Sequence, residues 1–154
     1  EFFAKAKTRP WYENTLFILV ADHSHNSYRN WHSQSKEYHR IPMLFLGNAI
    51  REEFRGTVWH KLGNQHDLAA TLLAQLGLKA GNYRFSKNLF NPASGDFAYY
   101  STEDGVGWIR DQSYFTYDKK PDFYYWWTDP NTPDSVKQEG KAYLQTVFSI
   151  YMKN

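Results

Sequence analysis

An apolar, β-branched run from Thr15 to Ala21 (TLFILVA) ends directly on Asp22-His23, and this junction constrains the chain more than any other feature. The run does not alternate, so it reads as a strand buried on both faces, with helices above and below. In open α/β sheets ligands gather at the carboxyl ends of strands, where the backbone fixes side chains without covering them. A carboxylate oxygen and an imidazole nitrogen presented there are compatible ligands for Zn²⁺ or Mn²⁺. The same dipeptide can equally be an Asp closing a turn beside a hydrogen-bonded His. All six histidines fall between His23 and His66, and this uneven placement points to a site.

A second apolar run, Ile41 to Leu46 (IPMLFL), is closed by Gly47 and Asn48, with Pro42 pushing it toward a strand start or an edge. A polar loop joins the two. Asn64 with Asp67 resembles a capping box, and Leu68, Ala69, Leu72, Leu73 and Leu76 recur at helical spacing until Gly77. From Asp96 the pattern changes to short aromatic strands at 97–100, 114–117 and 123–127. Val136, Gly140, Tyr143, Leu144, Val147, Phe148 and Tyr151 then mark one face of a helix that should pack across that sheet.

The fold class expected is α/β: a mixed sheet with flanking helices over 1–90, and a small antiparallel sheet covered by a helix over 91–154, in the same structural unit. With 42% hydrophobic residues, 154 residues suffice for one core. Eighteen basic and sixteen acidic side chains leave a net charge of only +2 with no long basic run, so nucleic acid is not an expected partner. The absence of cysteine excludes disulfides and thiolate metal sites. No apolar run is long enough to cross a bilayer. Glu1 to Lys7 reads as a helix already under way, which suggests a start inside a longer protein.

Three segments in order carry a family resemblance. Asn14 to His23 (NTLFILVADH) resembles the strand that delivers metal ligands in sulfatases, phosphoethanolamine transferases and lipoteichoic acid synthases. His39-Arg40-Ile41-Pro42 resembles the segment in which phosphotransferases of the alkaline phosphatase superfamily place a histidine facing the substrate phosphate. Gln65 to Leu78 (QHDLAATLLAQLGL) resembles the helix that follows in sulfatases. The likeness covers about residues 1 to 90 and is nearest to the membrane-anchored lipoteichoic-acid-synthase-like group of the bacterial envelope.

The resemblance implies a partial alkaline-phosphatase-like sandwich with Asp22 and His23 as ligands of a divalent metal ion, whether Zn, Mn, Mg or Ca. It implies that His39 is catalytic, steadying or protonating an oxygen of a phosphate or sulfate ester. His25, Arg29, Trp31 and His32, on the loop between, are weaker candidates for holding that substrate, a lipid headgroup or a glycan among its forms. His60 reads as a surface or packing residue, and His66 with Asp67 as structural. The Thr or Ser nucleophile and a further acidic ligand belong to the N-terminal half of such domains, and no motif here resembles that half. These residues alone are therefore expected to be inactive, to partner that half, and to self-associate through apolar surface it would cover. The parent is expected on the periplasmic or extracellular face of the cell envelope.

A rival reading makes the aromatic C-terminal part a carbohydrate platform of Tyr99, Tyr100, Trp108, Tyr124, Tyr125, Trp126 and Trp127. Alternation within a strand would instead bury about half of these.

Overall fold

The computed structural model describes residues 1–25, 29–111, 113–127 and 133–153, with the side chains of Trp126 and Trp127 outside that description. The chain divides into two compact units, Glu1–His25 with Arg40–His60, and Asn26–His39 with Lys61–Asn154.

In the first unit, helix α1 (Phe2–Ala6) and a 3-10 turn (Pro10–Asn14) precede strand β1 (Phe17–Val20). Strand β2 (Met43–Leu46) pairs antiparallel with β1, from Phe17 opposite Leu46 to Val20 opposite Met43. The rings of Phe2, Phe3, Trp11 and Tyr12 close on Phe17 with centroids 5.2–6.2 Å apart, which is why an aromatic helix and a Pro-aromatic turn lead into this strand. The expected burial on both faces is not seen. No residue of β1 is fully buried, and Leu19 and its cross-strand partner Leu44 are 45% and 50% exposed, so this face of the two-stranded ladder is largely uncovered. An apolar run reports a capacity for burial and cannot say what supplies the cover.

The second unit contains a four-residue helical turn, α2 (Lys36–His39), the helix α3 (Asp67–Gln75), strands β3 (Ala98–Ser101), β4 (Gly105–Arg110), β5 (Ser113–Asp118) and β6 (Phe123–Trp127), and helix α4 (Asp134–Tyr151). The strands form one antiparallel sheet in sequence order. Three of the four were expected. The one that was not, β4, is the most buried, with Val106 fully covered and Trp108 2% exposed. Its two glycines break the aliphatic pattern by which strands are read, and they do so for packing reasons.

Tyr100, Gly107 and Thr116 lie side by side across β3, β4 and β5. A Cβ on Gly107 would fall about 2 Å from three carbons of the Tyr100 ring, so the ring occupies the space a side chain would need. Tyr99, Trp108 and Phe115 form the neighbouring row, which points to the opposite face. There α4 closes over them, with Val136, Tyr143 and Leu144 in the core. Helix α4 approaches closely at Gly140, where a Cβ would meet Phe115 Cζ at 2.6 Å and Trp108 Cβ at 2.9 Å. The sheet is thus covered by α4 on one face and by the 33–39 segment on the other, so β4 is covered from both sides.

This arrangement corrects the carbohydrate platform. Tyr100 and Trp108 are core residues, Tyr99 and Tyr124 pack against the core, and of the platform residues whose side chains are described only Tyr125 is exposed, at 39%. Alternation placed one set of rings under α4 and seated Tyr100 on Gly107. The expected face of α4 also needs correction, since Phe148 and Tyr151 are 57% and 74% exposed. The last turns of the helix extend beyond the rows it covers.

Helix α3 is anchored through its first residue. Asp67 is 1% exposed, accepts from the amides of Asn64 (2.8 Å) and Lys87 (2.9 Å), and lies 3.4 Å from the Lys87 ammonium. The Asp67 half of the capping box forms as expected. Asn64 does not return a side-chain cap and instead pairs with the Tyr99 backbone in β3, donating at 2.5 Å and accepting at 3.1 Å. The helix ends at Gly77 (φ +69°), with the Leu78 amide reaching back to the Leu73 carbonyl at 2.8 Å.

Helix propensity alone predicts that Gly140→Ala gains about 1 kcal/mol. The close approach predicts the reverse, because overpacking a core of this kind costs about 1–3 kcal/mol. A net loss, read as a lower urea midpoint, is expected.

Candidate functional site

In the first unit Asp22 and His23 come just after β1, with Ala21 between, and both side chains are exposed. The Asp22 carboxylate turns back to accept from the His23 amide at 2.9 Å, which orients the carboxyl group. His23 Nδ1 lies 2.8 Å from the Ser24 carbonyl. A carbonyl only accepts, so Nδ1 carries the proton and Nε2 keeps its lone pair, the tautomer in which a histidine ligates a metal. Nε2 lies 3.6 Å from Asp22 Oδ2. Two donors of one ion at bond lengths of about 2.0–2.2 Å lie roughly 3.3–3.6 Å apart in near-tetrahedral coordination, so this pair fits two ligands of one cation. As an ion pair in water the same contact would contribute little. Among the described residues no three His, Asp or Glu side chains gather as a metal-holding group.

His25 also belongs to this unit and is exposed. The other sequence candidates lie in the second unit. The Arg29 guanidinium stands 4.9 Å from the centre of the Trp31 ring, a cation-π pair that holds two of them together. His32 is exposed, and its Nδ1 accepts from the Gln34 amide at 3.2 Å, which stiffens the turn leading into α2. His60 is exposed. His66 Nε2 meets the Phe85 carbonyl at 3.0 Å and helps tie α3 to the segment after it.

His39 is the last residue of α2, a turn begun by Ser35, whose Oγ accepts from the Tyr38 amide at 3.4 Å. Its Nε2 lies 2.8 Å from the Ser33 carbonyl, so in the neutral ring Nε2 carries the proton and Nδ1 is the basic nitrogen. The imidazole stacks on Tyr100, with centroids 3.9 Å apart and planes 12° from parallel, and meets the edge of Tyr38 at 5.2 Å. Burial pushes its pKa below the usual histidine value and outweighs the Ser33 carbonyl, which favours the charged form. His39 is thereby biased toward the neutral state, ready to take a proton at Nδ1 before it can give one.

Sequence reasoning missed the groups beneath this histidine. The Tyr100 hydroxyl lies 2.7 Å from Thr116 Oγ1, and both hydroxyls reach the Gln34 carbonyl, at 2.9 and 2.6 Å. Burial raises the Tyr100 pKa to about 12, so it remains a neutral donor. Partners so far apart in the chain leave no local signal.

The sequence model of the family described as Sulfatase matches residues 1–78. No curated protein matches the chain. The crystal structure of a protein in the alkaline phosphatase superfamily from Vibrio parahaemolyticus superposes with a TM-score of 0.77 at 21% identity, over 99% of this chain and 39% of that one. That likeness shows the fold, a mixed α/β arrangement that matches part of that protein's chain. The chain spans about two-fifths of that protein's length.

A histidine with a lowered folded pKa binds its proton more readily when unfolded. Its contribution to stability is present above the unfolded pKa of about 6.5 and is lost as pH falls through the folded value. Urea midpoints of the wild type should therefore fall between pH 7 and 5 more steeply than those of His39→Gln, and superimposable pH profiles would contradict the burial of this ring.

Proposed function

The chain belongs to the sulfatase family, and from that premise we propose that it supplies metal-ligating and substrate-facing side chains to an enzyme that hydrolyses or transfers phosphate or sulfate esters. The superfamily is enzymatic and generally metal-dependent. The observation that carries the proposal is the Asp22–His23 pair, two exposed donors 3.6 Å apart at a strand end, with the histidine tautomer set by the Ser24 carbonyl.

A bound divalent ion would supply Lewis-acid stabilisation of charge on a phosphoryl or sulfuryl oxygen. Asp22 and His23 would hold it, the carboxylate contributing negative charge and the imidazole a neutral nitrogen. His39 would act on the ester through Nδ1, taking a proton from the attacking group and returning it to the leaving oxygen, a task suited to a neutral imidazole near pH 7. Arg29 paired with Trp31 offers a cation beside a flat ring, which suits an anionic ester with a glycerol or sugar portion.

A Thr or Ser nucleophile and a second acidic ligand would come from residues other than these 154, so this segment alone would be inactive. The finer reading is an envelope phosphotransferase of the lipoteichoic-acid-synthase-like group, moving glycerophosphate or phosphoethanolamine. Its parent would be membrane-anchored, with the active site on the periplasmic or extracellular side. Among the described residues no helix is long and apolar enough to cross a membrane.

Metal analysis of the intact protein beside Asp22→Ala and His23→Ala tests the proposal. Each variant should bind Zn²⁺ or Mn²⁺ at least about tenfold more weakly, with an unchanged melting curve for the metal-free protein. Equal metal content in all three would remove the site.

A further inference from the structure

His39 rests on an aromatic ring from a strand some sixty residues away in the chain, and that ring is itself held at several points. Tyr100 is 8% exposed. One part of it lies over its cross-strand partner Gly107, where any side chain would collide with it. Its hydroxyl is tied to Thr116 and to the Gln34 carbonyl. The Gln34 carbonyl belongs to the turn that also supplies Ser33, the acceptor for His39 Nε2. The ring and the acceptor are therefore pinned to the same sheet rows, and the imidazole plane has little freedom between them. A near-parallel stack at 3.9 Å favours one orientation of the imidazole plane over the others.

We propose that Tyr100 is the positioning residue for His39: seated on Gly107 and anchored through Thr116 and Gln34, its ring sets the imidazole plane while Ser33 sets the tautomer, so that Nδ1 is presented to the substrate. This inference rests on the reading of His39 as the substrate-facing histidine. Of the charged groups on α2, Lys36 lies 4.3 Å from the centre of the Tyr114 ring, and Glu37 acts on the hydroxyls of Tyr100 and Tyr114. Among the described residues the imidazole itself meets the Tyr100 and Tyr38 rings and the Ser33 carbonyl.

Diethyl pyrocarbonate modification of the intact protein, resolved at His39 by peptide mass spectrometry across pH, reads the ring directly and needs no substrate. Wild type should show a half-modification pH below the ordinary value of about 6.5. Tyr100→Leu, which removes the stack, and Gly107→Ala, which pushes the ring off its seat, should both raise that midpoint toward 6.5 and speed modification at pH 7 severalfold. Tyr100→Phe keeps the ring and should keep the midpoint. Because Tyr100→Leu removes a core ring and can fail to fold, Gly107→Ala then decides. A folded Gly107→Ala or Tyr100→Leu protein with the wild-type profile overturns the proposal, as does a Tyr100→Phe profile shifted as far as that of Tyr100→Leu.

In the intact protein, turnover of bis(p-nitrophenyl) phosphate and p-nitrophenyl sulfate with Mn²⁺ separates the two readings. If Tyr100 positions a working His39, both ring-displacing variants should lose about tenfold in kcat with KM within about twofold. Unchanged turnover in His39→Gln would instead reject the assignment of His39, whatever the modification profiles show.

Discussion

The missing side chain at Gly107 is the constraint on which the second unit depends. It opens a gap in the middle of β4 through which the Tyr100 ring crosses to reach Thr116 on the far strand. That crossing brings the Tyr100 and Thr116 hydroxyls together at the Gln34 carbonyl, their two protons shared among the three contacts, and docks the 33–39 segment on the sheet. On the opposite face Gly140 plays the corresponding part, letting α4 sit close enough for Phe115 and Trp108 to be sealed beneath it. Two glycines, one in a strand and one in a helix, thus allow one four-stranded sheet to be covered on both sides.

The polar network at the start of α3 works by a different economy. Asp67 is a buried carboxylate whose charge is met by two amides and one ammonium, and Lys87 has its own pKa lowered by burial, against the pull of Asp67. A buried charge without such partners would cost several kcal/mol. The same Lys87 ammonium reaches the Phe97 carbonyl and lies 3.9 Å from the Phe97 ring centroid, so the helix start is tied to the edge of the aromatic core. The sulfatase-like helix motif thus supplies structural ties in this chain, Asp67 to Asn64 and Lys87 and His66 to Phe85.

The placement of the candidate residues was legible in the sequence where they are local. Asp22 and His23 are neighbours, so their meeting at the end of β1 needs only the strand that precedes them, and the apolar run Thr15 to Ala21 announces it. His39 could be singled out from the residues that follow it. Its environment could not, since Tyr100, Thr116 and Gly107 come from three strands and carry no shared spacing. The carbohydrate platform failed for a related reason, because a list of aromatic residues does not say which face of a sheet each ring occupies.

By itself the sequence determined those features that depend on residues within a few positions of one another: the strand that ends in Asp22-His23, the helix stopped at Gly77, the aromatic strands β3, β5 and β6, and the amphipathic start of α4. Each follows from backbone preference and periodicity, which act over a turn or a pleat. Only the tertiary structure decided that β4 is a strand, that its Gly107 seats a ring while Gly140 of α4 lets the helix close on the sheet, and that His39 stacks on Tyr100. Those outcomes depend on which rows face each other across the sheet, a relation set by long-range pairing and close packing that no local pattern encodes.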